Sequence, residues 1–166
     1  MVEGLVVIKN DTILDALTAV TDPEIPVLSI MDMGIIRDVS ITEDKVHIKI
    51  TPTYTGCPAM DTIAMDISSA IHAVGYECEV ELVLSPAWTT DWITENGRKK
   101  LEEYGIASPL SEERDKQALL GKRVVTCPQC QSTDTVMISQ FGSTACKALF
   151  KCESCLEPFD YFKCLK

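Results

Sequence analysis

Two Cys-x-x-Cys pairs near the C-terminal end place the strongest constraint on how this 166-residue chain can fold. Cys127 and Cys130 form the first pair, and Cys152 and Cys155 form the second after twenty-one intervening residues. Each pair presents two thiolates from one tight turn, and a β-hairpin between the turns can close the tetrahedron that zinc favours. The spacing therefore predicts a ribbon held by a structural Zn2+ ion. A four-cysteine iron or iron–sulfur site uses the same ligands and stays an alternative.

The eight cysteines of the chain are expected to be reduced thiols. No window approaches the ~18 consecutive apolar residues of a membrane span, and the first residues lack the basic and apolar regions of a signal peptide. The sequence therefore predicts a cytoplasmic protein with no membrane association. Cytoplasmic thiols stay reduced, so the cysteines indicate metal or thiol chemistry rather than a disulfide framework.

The net charge of −10 is divided unevenly along the chain. Residues 1–95 contain sixteen Asp and Glu against four Lys and Arg, or −12, whereas residues 96–166 contain nine against eleven, or +2. Nucleic-acid binding requires Lys and Arg to displace counterions from the phosphates. The acidic first half therefore argues against a nucleic-acid partner.

The first half of the chain has the apolar periodicity of a small α+β domain. The pattern predicts a helix that Asp11 caps, a hairpin of strands near Ile35–Ile41 and Val46–Ile50, a helix over Met60–Val74, and a strand at Glu77–Leu84. Apolar residues alternate with acidic ones in the last strand, as expected where one sheet face meets a core and the other meets water. The predicted order is α-β-β-α-β, in two layers.

The second half is predicted to be a separate, smaller module. A further helix is expected at Asp91–Tyr104, and the mixed charges, Gly and Pro of residues 105–123 indicate a linker. Short apolar strands follow at Thr135–Phe141 and Phe159–Phe162. We therefore expect a domain over residues 1–104, a linker over 105–123 and a ribbon over 124–166.

Cys57 is the most interesting thiol of the first half. It precedes Pro58, a residue suited to the first position of a helix, so Cys57 is expected at the N-cap. Backbone N–H groups and the helix dipole should then lower the pKa of the thiol, although the nearby Asp61 acts in the opposite direction. The position indicates a nucleophilic or metal-binding thiolate. A capping cysteine without chemistry is the other interpretation.

Four further side chains are candidate metal or cluster ligands. Cys146 and Cys164 exceed the needs of one four-coordinate ion. They are either buried apolar side chains or a second thiol pair that could hold a metal or receive a cluster. Asp22 and Glu24 flank Pro23 and offer an acid pair, but such a sequence more often forms a rigid turn.

Several motifs together resemble a known family. The first half resembles the MIP-type, SufT-like iron–sulfur assembly domain in its motifs Asp22-Pro-Glu24, Met33-Gly-Ile35, Thr53-Tyr-Thr-Gly-Cys-Pro58 and Pro86-Ala-Trp-Thr-Thr-Asp91. The tail is similar to that of the PaaD-type accessory subunits of phenylacetyl-CoA epoxidase, in Phe141–Ala148 and Glu157–Cys164. The combination of this domain with this ribbon is more specific than either part.

The resemblance implies an accessory role in aerobic phenylacetate breakdown. The protein would help to mature the epoxidase, through its iron–sulfur flavin reductase or its diiron oxygenase, together with the iron–sulfur assembly machinery. It would handle a transient iron–sulfur cluster and would not itself be a catalyst. The resemblance maps the reactive or cluster-handling residue onto Cys57 and adds interest to Asp22 and Glu24.

Two other functions stay open at this point. One is a thiol redox enzyme in which Cys57 attacks and a tail cysteine resolves. The absence of a Cys-x-x-Cys motif at Cys57 counts against it. The other is a purely structural subunit of the epoxidase complex, for which Cys57 would be dispensable.

Overall fold

The structure, a computed structural model, describes residues 8–163 and divides them into two compact units. The first unit contains the described residues up to Trp88 together with Trp92–Thr94. The second unit contains Thr89–Asp91 and the described residues from Glu95 onward. Within the described part of the chain, no helix has the length and apolar character that a membrane crossing requires.

The first unit has the predicted α-β-β-α-β order. Its elements are α1 (Asp11–Thr18), β1 (Ile36–Ile41), β2 (Lys45–Ile50), α2 (Ala59–Ala73) and β3 (Glu77–Leu82). The residue that caps α1 is Asn10 and not Asp11, because the Asn10 side chain accepts a hydrogen bond from the N–H of Ile13 at 3.2 Å. The α+β prediction is confirmed.

A three-stranded sheet and helix α2 form the two layers of the first unit. The strand order is β1-β2-β3, with β1 antiparallel to β2 and β2 parallel to β3. Helix α2 makes the crossover between the two parallel strands. The core residues Val46, Ile48 and Ile50 of the central strand are all buried. Burial of each such side chain contributes about 1.5–3 kcal/mol.

The backbone passes very close to itself at Gly34. This residue has a φ of +67°, and a Cβ atom added there would lie 2.3 Å from the carbonyl oxygen of Trp92. Nearby, the indole N–H of the buried Trp88 donates to the carbonyl of Met33 at 2.9 Å. The Trp-containing segment is therefore held against the Met33–Gly34 turn by a contact that only glycine permits.

Replacing Gly34 with Ala should destabilise the first unit by at least about 2 kcal/mol, because backbone strain and a steric clash add together. Gly75→Ala is the matched control, since its φ is +92° but nothing lies within 4 Å of the added carbon. It should cost only about 1 kcal/mol. Both tryptophans belong to the first unit, so urea unfolding followed by tryptophan fluorescence measures its free energy of unfolding. Equal losses in the two variants would contradict the close approach.

The second unit is a four-stranded sheet with two helices. Its strand order is β4-β7-β6-β5, with β4 parallel to β7 and the other pairs antiparallel. Its elements are α3 (Glu95–Tyr104), β4 (Ile106–Ala107), α4 (Glu112–Leu119), β5 (Thr135–Ser139), β6 (Lys147–Cys152) and β7 (Pro158–Phe162). The Phe150 ring contacts the rings of Phe159 and Tyr161, with centroid distances of 5.9 and 5.5 Å.

The division between the units differs from the one expected from the sequence. Helix α3 belongs to the second unit, and the expected linker over 105–123 contains β4 and α4. The Tyr161 hydroxyl donates to the buried Asp115 at 2.6 Å, and Ala118 is completely buried. The polar composition of residues 105–123 therefore hid a segment that packs into the core of the second unit.

Candidate functional site

The sulfur atoms of the four tail cysteines meet at one point. All four Sγ atoms lie within 4.8 Å of one another. Cys127 Sγ is 3.7 Å from Cys155 Sγ, and Cys130 Sγ is 3.5 Å from Cys152 Sγ. Four sulfurs bound tetrahedrally at about 2.3 Å from a zinc ion lie about 3.8 Å apart. The geometry therefore fits one tetrahedral metal ion, and the four cysteines form a metal-binding group.

The two Cys-x-x-Cys turns share two features of backbone geometry. The residue after each turn, Gln131 in the first and Leu156 in the second, has a positive φ of 63° and 67°. An equivalent backbone hydrogen bond also occurs in each turn. The Cys127 N–H donates to the Ser132 carbonyl at 2.8 Å, and the Cys152 N–H donates to the Glu157 carbonyl at 2.9 Å. Left-handed residues other than glycine cost energy. Each turn therefore contains one energetically unfavourable backbone conformation, and each directs two sulfurs toward the same point.

The environment of the Cys152 sulfur favours its thiolate. Cys127 and Cys152 are completely buried, and Cys152 is the last residue of β6. The backbone N–H of Cys155 points at the Cys152 sulfur at 3.5 Å, and such N–H donors lower the pKa of Cys152 to about 6. A metal ion binds the deprotonated form of a cysteine. At neutral pH the Cys152 thiol is therefore ready to bind a metal.

Of the predicted second thiol pair, Cys146 and Cys164, the structure describes only Cys146. Cys146 is buried, and its sulfur lies 3.1 Å from the hydroxyl oxygen of Thr144. It is not a member of the four-cysteine group. Cys164 lies outside the described residues. A metal or cluster shared by these two cysteines stays a prediction.

Replacing Cys152 with Ser should release the metal and unfold the second unit. A structural zinc ion contributes about 10–16 kcal/mol in zinc-finger peptides, as much as the whole stability of many domains. The first unit should stay folded, because its sheet and helices form their own core. Metal analysis and hydrogen exchange of β5, β6 and β7 measure the loss, and tryptophan fluorescence follows the first unit.

Cys146→Ser is the control for the Cys152→Ser variant. It changes a buried thiol of the same unit that is not in the four-cysteine group. It should keep the metal content of the unchanged protein. A Cys152→Ser protein with full metal content and protected strands would contradict the assignment of Cys152 as a ligand.

Cys57 lies one residue further from helix α2 than the sequence predicts. The helix begins at Ala59, and its N-cap is Pro58, which makes no side-chain capping bond. The N–H of Cys57 donates to the Tyr54 carbonyl at 3.2 Å, so Cys57 closes a tight turn before the helix. The prediction of Cys57 as the N-cap is therefore wrong by one position. Its thiol is half-buried.

The pKa of the Cys57 thiol is raised, which overturns the predicted lowering. Burial is the largest cause, and the negative charges of Glu24 and Asp22 add to it. The Ala59 N–H and the Tyr54 side chain act in the opposite direction but do not compensate. The helix end therefore supplies the predicted N–H donor, and desolvation outweighs it. The thiol is protonated at neutral pH.

Asp22 forms the rigid turn that its sequence context favours. Its Oδ1 atom accepts hydrogen bonds from the N–H groups of Glu24 and Ile25, both at 2.8 Å. The Asp22 side chain is buried. The turn thus brings Asp22 and Glu24 near enough to Cys57 to influence its pKa. Among residues 8–163, however, the ligand atoms that lie within 4.8 Å of one another are those of the four-cysteine group, and the ligand atoms of Cys57, Asp22 and Glu24 do not form such a group.

Tyr54 is a member of this thiol site that the sequence analysis missed. Its carbonyl accepts the Cys57 N–H, and its side chain hydrogen-bonds the sulfur. A signal was present, because a residue three positions before a turn-closing cysteine is brought back to it by a β-turn. Tyr54 therefore positions the thiol and favours its deprotonation.

Alkylation by iodoacetamide should report the raised pKa of Cys57. The thiolate is the reactive form, so the rate at Cys57 should be low at pH 7 and should rise with a midpoint above that of an ordinary cysteine thiol. Glu24→Gln removes a negative charge, so it should lower that midpoint. Glu43→Gln, at an exposed position, should leave it unchanged. Peptide mass spectrometry measures the rate at Cys57 alone. A fast rate at pH 7 in the unchanged protein would contradict the raised pKa.

Comparison with known proteins identifies both parts of the chain. Residues 10–82 match the family described as iron–sulfur cluster assembly protein, and residues 111–163 match the PaaD zinc β-ribbon domain. The fold and the four-cysteine site therefore define an iron–sulfur assembly-type domain joined to a zinc ribbon. The chain belongs to the PaaD family.

Individual relatives agree with this assignment. An Escherichia coli K12 protein named as a 1,2-phenylacetyl-CoA epoxidase subunit is 49% identical over 150 residues, which cover 90% of this chain and 89% of the relative. A Porphyromonas gingivalis "Fe-S protein maturation auxiliary factor" is 33% identical over 95 residues, covering 55% of this chain and 90% of the relative. The crystal structure of a DUF59 domain from Bacillus anthracis is 27% identical, with a TM-score of 0.51, over 55% of this chain and 89% of that chain.

Proposed function

We propose that the protein is a non-catalytic maturation factor that delivers iron or an iron–sulfur cluster to phenylacetyl-CoA epoxidase. Two relatives support the two halves of this proposal. The relative that spans most of the chain is named as an epoxidase subunit, and the relative that matches the first half is named as an Fe-S maturation factor. An accessory role agrees with both names.

The observation that carries the proposal is the placement of two carboxylates near the Cys57 thiol. Burial is the largest cause of the raised pKa of Cys57, and the negative charges of Glu24 and Asp22 add to it, so both carboxylates act on the sulfur. An iron cation would displace the thiol proton and would be attracted by both carboxylates. A soft sulfur beside hard oxygens is a donor set that iron accepts. Iron or a cluster is here a cargo and not a resident cofactor.

The loose arrangement of the thiol site suits transient binding. Asp22 already uses one carboxylate oxygen in the turn, and the trio does not converge as the four tail cysteines do. A preassembled four-ligand centre holds its metal tightly, whereas one thiolate with weak oxygen ligands can pass its cargo on. We assign Cys57 as the cargo ligand, with Glu24 and Asp22 as its electrostatic partners.

The ribbon is assigned a structural Zn2+ ion. Four thiolates in two Cys-x-x-Cys turns with tetrahedral spacing are the ligand set of closed structural zinc sites. No ligand position stays open for a substrate in such a site. The ribbon would therefore hold the second unit together and take no part in cargo transfer.

The proposed partners are the epoxidase components and the general iron–sulfur assembly machinery. The client is either the iron–sulfur flavin reductase or the diiron oxygenase of the epoxidase. We assign the proposed reaction to the cytoplasm, where thiols stay reduced. A thiol redox enzyme is a weaker interpretation, because its attacking cysteine needs a lowered pKa and that of Cys57 is raised.

Replacing Cys57 with Ser should reduce the iron content of the client. Serine keeps the size and the hydrogen-bonding capacity of the side chain but removes the soft sulfur ligand. When the variant is co-produced with the reductase and the oxygenase, the cluster occupancy of one or the iron content of the other should fall, and epoxidase activity with it. Zinc content and folding should not change, because the ribbon ligands are untouched.

The control is Cys78→Ser, which removes the other half-buried thiol of the first unit. It should leave the client's iron content unchanged. A client whose cluster is reconstituted chemically should become active without this protein, which a structural subunit would not permit. Normal iron in both clients alongside an abundant, folded Cys57→Ser protein would make the structural-subunit interpretation the better one.

A further inference from the structure

Strand β3 is an edge strand whose outer side has no partner strand among residues 8–163. On its inner side, the Glu77 N–H donates to the Asp44 carbonyl at 2.9 Å, and the Val83 N–H donates to the Ile50 carbonyl at 2.8 Å. In a parallel pair, alternate residues of one strand bond to the same neighbour. The backbone groups that point away from β2 therefore belong to Cys78, Val80 and Leu82.

A groove follows this open edge on the side of helix α2. Its volume is about 430 Å3, and its lining residues are Ala64, Met65, Ser68, Ser69 and Val80. Large apolar side chains are exposed beside it, with Met65 71% exposed and Leu82 52% exposed. A strand added to this edge would place alternate side chains in the groove, where they would cover exposed apolar surface.

The other face of β3 is acidic and already contacts basic side chains of β2 on its inner side. Its side chains are Glu77, Glu79 and Glu81, each opposite a residue of β2. Lys45 contacts Glu79 at 2.5 Å, and both Lys49 and His47 contact Glu81 at 3.6 Å. Each carboxylate has acceptor positions left for a second donor. Strand β2, with basic residues alternating with Val46 and Ile48, thus shows which sequence pattern fits beside β3.

A second copy of this chain does not fit the open edge. Pairing of two β3 strands would bring the acidic residues of both copies side by side, which is unfavourable for like charges in neighbouring strands. Acidic side chains on an edge strand are also a known device against self-association. The first 95 residues carry a charge of −12, which opposes self-pairing further and attracts a basic partner.

We propose that the β3 edge is a docking site for an extended segment of another protein, in which Lys or Arg alternates with β-branched apolar residues. The segment adds a fourth strand to the sheet of the first unit. Its backbone bonds to Cys78, Val80 and Leu82, its apolar side chains enter the groove beside Met65, and its basic side chains meet the acidic face. This inference does not depend on the proposed cargo function of Cys57.

A synthetic peptide that repeats Lys-Val-Lys-Ile is the probe for this site. A fluorescein-labelled form should bind the full-length protein, with an affinity that decreases as salt increases. A peptide of the same composition, with its lysines in one block, should bind at least about tenfold more weakly because alternation is lost. Hydrogen exchange should show new protection at the amides of Cys78, Val80 and Leu82. The amides of Glu79 and Glu81, already directed at β2, should not change.

Two variants test the two parts of the interaction. Val80→Pro removes an outward N–H without removing a bond to β2, so it should abolish peptide binding while the sheet persists. Glu77→Lys should weaken binding about two- to fivefold, as expected for reversing one cross-strand charge pair. The matched control is Glu113→Lys, an exposed charge reversal on α4 that should change nothing. Because Glu77→Lys keeps the backbone, it tests the proposal even if Val80→Pro unfolds the first unit.

Three results would overturn the proposal. The first is no binding of the alternating peptide to the unchanged protein, and the second is equal binding of both peptides. The third is binding that appears only when residues 1–7 are deleted, which would mean that the protein's own N-terminal residues compete for the edge. Each result is independent of client iron content, so failure here leaves the Cys57 experiment unaffected.

Discussion

The convergence of four cysteine sulfurs on one metal-binding point is the constraint on which the second unit depends. Cys127 and Cys152 are completely buried and belong to the same apolar cluster as Phe150 and Tyr161. Without a cation, deprotonated sulfurs so close together would repel one another inside that core. A bound metal ion would therefore convert a destabilising group of charges into a cross-link between the two Cys-x-x-Cys turns. The same cross-link would hold Gln131 and Leu156 in their left-handed conformations.

The first unit is stabilised differently, by burial of its own sheet and helices. The apolar residues of β2 are fully covered, and Trp88 is fixed by its bond to Met33. Cys57 lies in this unit and the four-cysteine group lies in the other, so the thiol of Cys57 is not one of the ribbon ligands. The proposed function, in which one metal stabilises the ribbon and another is passed on, uses this separation. Because the sulfur ligands of the two proposed sites lie in different units, each site can have its own affinity for metal.

Local patterns in the sequence predicted the parts of the structure that depend on local interactions. The spacing of Cys127, Cys130, Cys152 and Cys155 was sufficient for the metal group, and period-2 and period-3.6 patterns were sufficient for the first unit. The role of residues 95–123 could not be predicted, because it depends on contacts such as Tyr161 with Asp115 between distant parts of the chain. The polar composition of α4 gave no sign of them.

The pKa of Cys57 was predicted with the wrong sign for a similar reason. The helix end, which is visible in the sequence, supplies only the Ala59 N–H. Burial depends on the folded core, and the charges of Asp22 and Glu24 arrive from a turn far away in the sequence. Desolvation and distant charges together exceed one local dipole. A helix terminus is therefore insufficient grounds for a reactive thiol until its surroundings are known.

The division of labour between the two sulfur sites can be tested by one measurement. The full-length protein is purified anaerobically, supplied with ferrous iron and sulfide, and examined by metal analysis and visible absorption in unchanged and Cys57→Ser forms. The account predicts about one zinc per chain in both forms, with iron-dependent absorption bands in the unchanged protein and none in the variant. Iron bands of equal strength in both forms, with zinc lost from the ribbon, would contradict it.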